Sequence, residues 1–276
     1  MNDIDISKLL ISTGNEGLYL RTDLFQSVLD GLKRGFFGLL KEAPALTLNS
    51  PGVIDRKSLK QSSYLDKFPQ FVARVMPELQ AADAGDDGLA TLPSACLCLY
   101  PVVGGRWPVP TEGLLATVTA SCFRNEAGYG PERMRSFTMS EYVFFGRPDQ
   151  MEPFRETLVE RVSEWVAAMG LTGRVAAAND PFFGRLGELL AEKQRADKLK
   201  LELFLPISPT AEIACFSFNQ HREFFGSRWD IKTGDSEAAH SACVGVGLER
   251  LTLALFHHHG VDLDRWPAPL REQLRA

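Results

Sequence analysis

The chain has 276 residues, 45% hydrophobic and 24% charged, a balance that fits a folded globular protein with one catalytic-size domain and not a disordered one. Its net charge of -5 argues against broad electrostatic binding of nucleic acid, and no apolar run is long enough to span a membrane, because Pro93 and Pro101 break the most apolar stretch, 89–105. Five cysteines, odd in number and widely spread, do not suit a disulfide framework, and Met1-Asn-Asp-Ile-Asp5 lacks the pattern of a secretion signal, so free thiols or metal ligands in a cytoplasmic protein are expected.

In chain order, Leu24, Val28, Leu32, Phe36 and Leu40 recur every four residues and predict an amphipathic helix over 22–41, capped by Thr22 or Asp23. Pro44 and Asn49-Ser-Pro-Gly52 then predict a loop, a polar region runs to Phe71, and the Ala/Asp/Gly-rich run at 83–88 reads as a surface loop. Short β-rich runs follow at 96–103, 115–123, 135–145, 200–207, 211–218 and 242–246. Between them, Phe154, Leu158, Val162, Val166 and Met169 share one face of a helix from Met151 that stops at Gly170, and a second helix is expected from Asp180 to Lys198. The pattern predicts an α+β fold with a mainly antiparallel sheet flanked by helices.

Two segments carry chemistry. In Cys243-Val-Gly-Val-Gly-Leu-Glu-Arg250, two glycines let a strand pass close beneath a ligand and turn into a helix, and Arg250 sits about one turn inside it, placed for a terminal phosphate. A plain strand-to-helix junction with a surface Arg gives the same pattern. In the segment from Cys122 to Phe137, two β runs are joined by a Gly/Pro loop. Arg124 and Glu126, two apart on a strand, point the same way and can hold one ligand. The alternative there is a surface hairpin with a salt bridge.

Taken in order, Phe123-Arg-x-Glu126, Arg133-x-x-x-Phe137 and Gly245-x-Gly-x-x-Arg250 resemble motifs 2 and 3 of the class II aminoacyl-tRNA synthetases, and Pro51 after the first long helix resembles motif 1. Phe123-Arg-Asn-Glu-Ala-Gly128 and Glu212-Ile-Ala-Cys-Phe-Ser-Phe-Asn219 are similar to the seryl branch, with Cys215 where that branch has a hydroxyl. The resemblance implies that ATP is held by Arg124 on its α-phosphate, by Glu126 and Phe137 at adenine, by Arg133, and by Arg250 at the terminal phosphate, with Glu212 on Mg²⁺. A thiol at Cys215 is the poorer Mg²⁺ ligand. About twenty residues precede the first helix in this sequence, so a tRNA-binding domain like that of seryl enzymes is not expected. The chain is therefore similar to the amino acid:[carrier protein] ligases, and the likeness extends to Leu92-Pro-Ser-Ala-Cys96, Tyr100-Pro101, Asn49-Ser-Pro51 and Tyr64-Leu-x-x-Phe-Pro69. It implies a single catalytic domain over 1–276 with a helical insertion at about 148–200, a homodimer, and no tRNA or membrane partner.

That family binds Zn²⁺ through two cysteines and a glutamate, which implies Cys96, Glu141 and Cys243 here, with Cys98 or Cys122 as possible substitutes. Three ligands leave a tetrahedral ion open to a substrate amine. On residue type alone these cysteines would read as core thiols. The implied reaction activates a small amino acid, glycine or alanine, to an adenylate. The aminoacyl group then passes to the phosphopantetheine thiol of a carrier protein. Another acceptor, or an inactive regulatory paralogue, are the competing readings. Lys193, Arg195, Lys198 and Lys200 suggest a basic helix to dock an acidic carrier, although interleaved Glu188, Glu192 and Asp197 also fit a solvated face. His257-His-His259 reads as a solvated helix end, His221 and His240 stand alone, and Phe224-Phe-Gly226 with Trp229 reads as a packed turn beside the amino acid pocket.

Overall fold

In the computed structural model, which describes residues 4–40, 44–76, 88–126, 128, 130–208 and 210–275, a 3₁₀ turn leads into a short hairpin, β1 (Leu10–Ser12) and β2 (Tyr19–Arg21). Thr22 then opens helix α1 (Asp23–Phe37), its hydroxyl accepting the Phe25 N–H at 3.4 Å. The helix buries Phe25, Val28, Leu29, Leu32 and Phe36 on one face. It stops at Gly38, before the expected end at 41, and the Leu40 N–H turns to the Tyr142 hydroxyl.

Strands β3 (Leu46–Ser50) and β4 (Val53–Asp55), helices α2 (Arg56–Gln61) and α3 (Tyr64–Lys67), and strands β5 (Arg74–Val75) and β6 (Leu89–Thr91) follow. Of the loop expected at 83–88, all but Gly88 lies outside the described residues. The run 96–103, expected as a strand, is instead a 3₁₀ turn (Ala95–Cys98) leading into helix α4 (Leu99–Val103). Cys96, Leu99, Tyr100 and Val103 are all buried, and that spacing is helical. Pro101 falls in the first turn of α4, where its missing N–H breaks no intrahelical bond, whereas in a strand it would remove one from the ladder.

The rest of the chain builds the site. Strands β7 (Leu114–Phe123) and β8 (Ser136–Gly146) form a hairpin, and helix α5 (Pro148–Ala168) ends at Gly170, whose φ of 82° is left-handed. Strand β9 (Arg174–Ala177) and helix α6 (Arg185–Ala196) come next. Helix α6 starts at Arg185 and not at Asp180, because Gly184 takes a φ of 75° that closes off the helix behind it. Strands β10 (Lys200–Ser208) and β11 (Ala211–Arg222), helix α7 (Phe224–Trp229), strand β12 (His240–Gly247) and helices α8 (Leu248–His259) and α9 (Ala268–Arg275) complete the order.

Seven strands pair in the order β3-β7-β8-β12-β11-β10-β9, parallel only between β3 and β7, so the sheet is mainly antiparallel as the sequence predicts. Alternation along each strand separates two faces. Tyr142, Phe216, Phe218, Val244 and Val246 join the core beneath α1, α5 and α8, where a Cβ on Gly35 would lie 2.8 Å from the Trp165 ring. Glu141, Ser217, Asn219, Cys243 and Gly245 face the other way, into an open cavity. No helix among the described residues is long and apolar enough to cross a membrane.

Candidate active site

The cavity holds about 940 Å³. Register builds its floor: Glu141 pairs with Gly245, Gly245 with Ser217 and Ser217 with Glu202, and in the next row Val143, Cys243, Asn219 and Lys200 lie abreast. Directly paired residues point to the same side of a sheet. Glu141 and Cys243 are therefore diagonal neighbours on adjacent strands, and the 3₁₀ turn before α4 brings Cys96 to them from outside the sheet.

The ligand atoms of Cys96, Glu141 and Cys243 lie within 4.8 Å of one another, and all three residues are buried. Glu141 Oε1 accepts the Cys96 N–H at 2.9 Å and the Ser94 hydroxyl at 3.1 Å, which fixes the carboxylate. Asn219 Nδ2 donates to Cys243 Sγ at 3.4 Å, and His221 Nε2 lies 3.7 Å from the same sulfur. The hydrogen bond to Cys96, together with burial, holds the Cys243 thiol well above its ordinary range. Two buried thiols and a carboxylate packed this closely form a donor set that fits a tetrahedral Zn²⁺ with one open position. Cys98 instead donates to the Ala95 carbonyl at 3.0 Å, and burial pushes its thiol up to about 11. Cys122 is buried and also pushed up. Neither joins the cluster of described metal-ligating residues.

The motif residues surround the same space. Arg124 Nε donates to the Pro93 carbonyl at 2.8 Å, and its guanidinium carbon sits 5.4 Å from the Phe137 ring centre and 5.7 Å from that of Phe71. Arg133 Nη1 donates to Glu126 Oε2 at 2.8 Å, so the Glu126 carboxylate is shared with a neighbouring cation. Arg250, in the first turn of α8, donates to the Glu132 carbonyl at 3.0 Å and the Ala214 carbonyl at 3.1 Å. Glu212 is ion-paired with Arg174. Burial pushes the Cys215 thiol up to about 12, so it stands neutral.

Several residues that sequence reasoning assigned elsewhere, or passed over, belong to the site. Lys200, counted among the cations of a basic helix although it also opens the β run expected at 200–207, is the first residue of β10, and its Nζ is held by Asp180 and, at 3.0 Å, by Glu202 inside the cavity. Glu249 takes the Arg21 guanidinium at 2.7 Å and the Thr138 N–H. Its place between Gly247 and Arg250 was the only signal. His221 and Phe225 line the cavity beside Cys243, whereas His259 is not a solvated end: its Nε2 contacts the Met169 carbonyl at 2.8 Å and its ring lies against Trp266.

Residues 114–259 match the tRNA synthetase class II core domain (G, H, P, S and T), which defines the class of catalytic core that β7, β8, β11, β12 and α8 build. A crystal structure of M. kandleri SerRS with A. aeolicus tRNASec superposes with a TM-score of 0.79 at 22% identity, over 96% of this chain and 58% of that one. The type-2 serine--tRNA ligase of Methanopyrus kandleri is 27% identical over 68% of the chain, which spans 38% of that protein. Amino acid--[acyl-carrier-protein] ligases 1 and 2 of Bradyrhizobium diazoefficiens are 40% and 38% identical over 97% and 95% of the chain, covering 87% and 84% of their own lengths. The chain belongs to this amino acid–[acyl-carrier-protein] ligase family and is a ligase on a class II synthetase fold.

Proposed function

We propose that the protein activates glycine or alanine with ATP to an aminoacyl-adenylate and pyrophosphate, and then passes the aminoacyl group to the phosphopantetheine thiol of a carrier protein as a thioester. The observation that carries this reading is that the Cys96–Glu141–Cys243 cluster and the motif cations Arg124 and Arg250 open into one cavity. The two Bradyrhizobium relatives support the acceptor, since their names give an acyl-carrier protein.

Positioning and charge stabilisation suffice for both steps, so no protein nucleophile is needed. Arg124, already oriented by Pro93 and two aromatic rings, neutralises the α-phosphate as the amino acid carboxylate attacks and pyrophosphate leaves. The two carbonyl contacts of Arg250 aim its guanidinium at the terminal phosphate. Glu212 exchanges its exposed partner Arg174 for Mg²⁺, at little cost for a surface pair. Phe137 stacks on adenine, and Glu126, with Arg133, meets its amino edge. Cys96, Glu141 and Cys243 would hold Zn²⁺, which when bound offers an open coordination position to an uncharged amine. A small substrate side chain fits a wall where Phe225 stacks on Tyr100 at 3.8 Å and meets His221 at 4.9 Å.

Helix α6 is the docking element in this reading. Lys193 and Leu190 line the cavity mouth, while Phe183, Leu186 and Leu189 are more than half exposed nearby. The likeness to motif 1 supports a homodimer, checked by mass in solution, and five unpaired cysteines suit a reducing cytoplasm. The deciding experiment is amino-acid-dependent ATP–pyrophosphate exchange on zinc-replete protein, screened over all amino acids. Exchange with glycine or alanine alone is expected, and none with any amino acid would sink the proposal.

A further inference from the structure

Phe224, the first residue of α7, carries two cations. Lys67 Nζ lies 4.0 Å from its ring centre and the Arg228 guanidinium carbon lies 3.6 Å from it. All three line the cavity and all three are half-buried. Arg228 donates to the Phe224 carbonyl at 3.1 Å and the Ser63 hydroxyl at 3.4 Å, both neutral acceptors. Among the described residues, neither Lys67 nor Arg228 has a carboxylate in ion-pair contact. Three other cavity cations are paired, Arg133 with Glu126, Lys200 with Asp180 and Glu202, and Arg222 with Asp197, whereas Arg124 and Arg250, expected on the phosphates of ATP, donate to backbone carbonyls as Arg228 does. Two like charges on one ring repel, and burial together with Arg228 lowers the Lys67 pKa. An anion between them would relieve that repulsion.

We propose that Lys67 and Arg228 bind a phosphate ester, namely the phosphodiester that joins phosphopantetheine to its carrier. The assignment rests on the carrier-protein reading above and adds the residues that would read the arm. Its geometry follows from one strand and one helix. Glu212, the expected Mg²⁺ ligand, stands at the start of β11, and Arg222 ends the same strand just before α7. At about 3.3 Å per residue those ends lie roughly 30 Å apart, so a terminal phosphate held at Glu212 lies far from Phe224. The neighbouring Phe225 stacks on Tyr100 and contacts His221, which touches Cys243. Helix α7 thus joins the cation pair to the cysteine cluster, and an arm anchored by its phosphate at Phe224 lies along this wall with its thiol directed inward. The guanidinium contributes directional N–H donors and Lys67 a mobile point charge, a combination suited to a phosphate that must enter and leave.

Calorimetric binding of 4′-phosphopantetheine and of pantetheine compares the ligand with and without the phosphate and does not depend on turnover. The wild-type protein is expected to bind the phosphorylated form about a hundredfold more tightly, each charge-assisted contact contributing about tenfold. Lys67→Gln and Arg228→Gln are each expected to remove about tenfold of that preference while leaving pantetheine binding where it was. Equal affinity of the wild-type protein for the two ligands would overturn the assignment, as would a preference that survives both substitutions. A matching loss of ATP affinity in the exchange assay would also overturn it, by giving the anion to the nucleotide. A wild-type protein that shows the phosphate preference but no exchange with any amino acid would keep the anion site and discard the reaction.

Discussion

The Glu249 carboxylate brackets the backbone N–H of Thr138, with each oxygen 2.8 Å from the nitrogen. Glu249 is buried at the start of α8, and Arg21 from the N-terminal hairpin closes the arrangement by donating to Glu249 Oε1 at 2.7 Å and to the Thr138 hydroxyl at 2.9 Å. Three segments far apart in sequence therefore meet between Phe137 and Arg250, the residues expected on either side of the nucleotide. Glu249→Ala takes the carboxylate from the Thr138 N–H and leaves Arg21 with the Thr138 hydroxyl alone. A loss of about 2 kcal/mol in urea unfolding is expected, together with a higher KM for ATP in exchange. An unchanged KM alongside the stability loss would confine Glu249 to a structural role.

The metal prediction separates the cysteines. Cys243→Ala is expected to copurify without zinc, whereas Cys98→Ala, whose thiol is spent on the Ala95 carbonyl, should retain about one ion per chain. Ser94 donates to the Glu141 carboxylate and lies 3.6 Å from Cys96 Sγ, so it would orient two of the residues that hold the ion, and Ser94→Ala should weaken zinc affinity about tenfold without abolishing it. Chelator competition followed by elemental analysis gives both answers. Full zinc in Cys243→Ala would remove that residue from the site.

A pH dependence follows from Asp180 and Lys200. Burial alone would raise the Asp180 pKa, but the charge of Lys200 and the hydrogen bond from Gln194 outweigh it, and the net shift is below the ordinary 3.8. Burial likewise opposes the Lys200 charge, yet Asp180 and Glu202 hold its pKa above the ordinary 10.5. A depressed acid gives stability that is present above 3.8 and lost as pH falls through the folded value. A raised base gives stability that is present below 10.5 and lost as pH rises through its folded value. The pair therefore stabilises across the neutral range. Because Asp180 is about a third exposed, Asp180→Asn should cost only about 1 kcal/mol at pH 7. The gap between the melting curves of the two proteins should close in acid below 3.8. A gap that stays constant well below that pH would show that it does not come from the ionised Asp180.

These relationships differ in how far the sequence shows them. Arg124 and Glu126 read as one strand face in the sequence, but β7 ends at Phe123 and both lie in the loop after it, Arg124 held by the Pro93 carbonyl and Glu126 by Arg133, so only their place in one cavity was legible. Glu141 and Cys243 were not, because their adjacency depends on β8 pairing with β12 across about a hundred residues, and register between non-consecutive strands leaves no local trace. Cys96 was harder still: its apolar run reads equally as strand or helix, and burial on all sides hides the period that would decide. Family likeness named these three together; the residues alone did not. Lys200 counts in the sequence with the cations of the helix before it, although it also opens the run 200–207 that folds as β10; helix α6 ends at Ala196, short of it. Lys67, Arg228 and Glu249 carry no motif, since a cation beside an aromatic ring or a carboxylate beneath a backbone N–H exists only once the chain has folded.

Helix α6, proposed above to dock the carrier, carries one more expected outcome. Helix α6 presents Leu186 and Leu189 at 74% and 62% exposure, an apolar stripe that a solvated helix would not keep uncovered. Lys193 lies beside it at the cavity mouth, and Arg195 bonds to Asn179. An acidic carrier seated here would bury the leucines and meet the basic residues, so charge and apolar area should contribute separately. Lys193→Glu with Arg195→Glu is expected to raise the carrier KM about tenfold, and the penalty should shrink at high salt because exposed charges are screened. Leu186→Asp with Leu189→Asp should raise it by a similar factor with little salt dependence, since buried apolar area does not screen. Amino-acid-dependent ATP–pyrophosphate exchange, which needs no carrier, reports on the catalytic core in every variant. If both pairs lowered exchange as much as transfer, α6 would be supporting the catalytic core and the carrier would have to dock elsewhere.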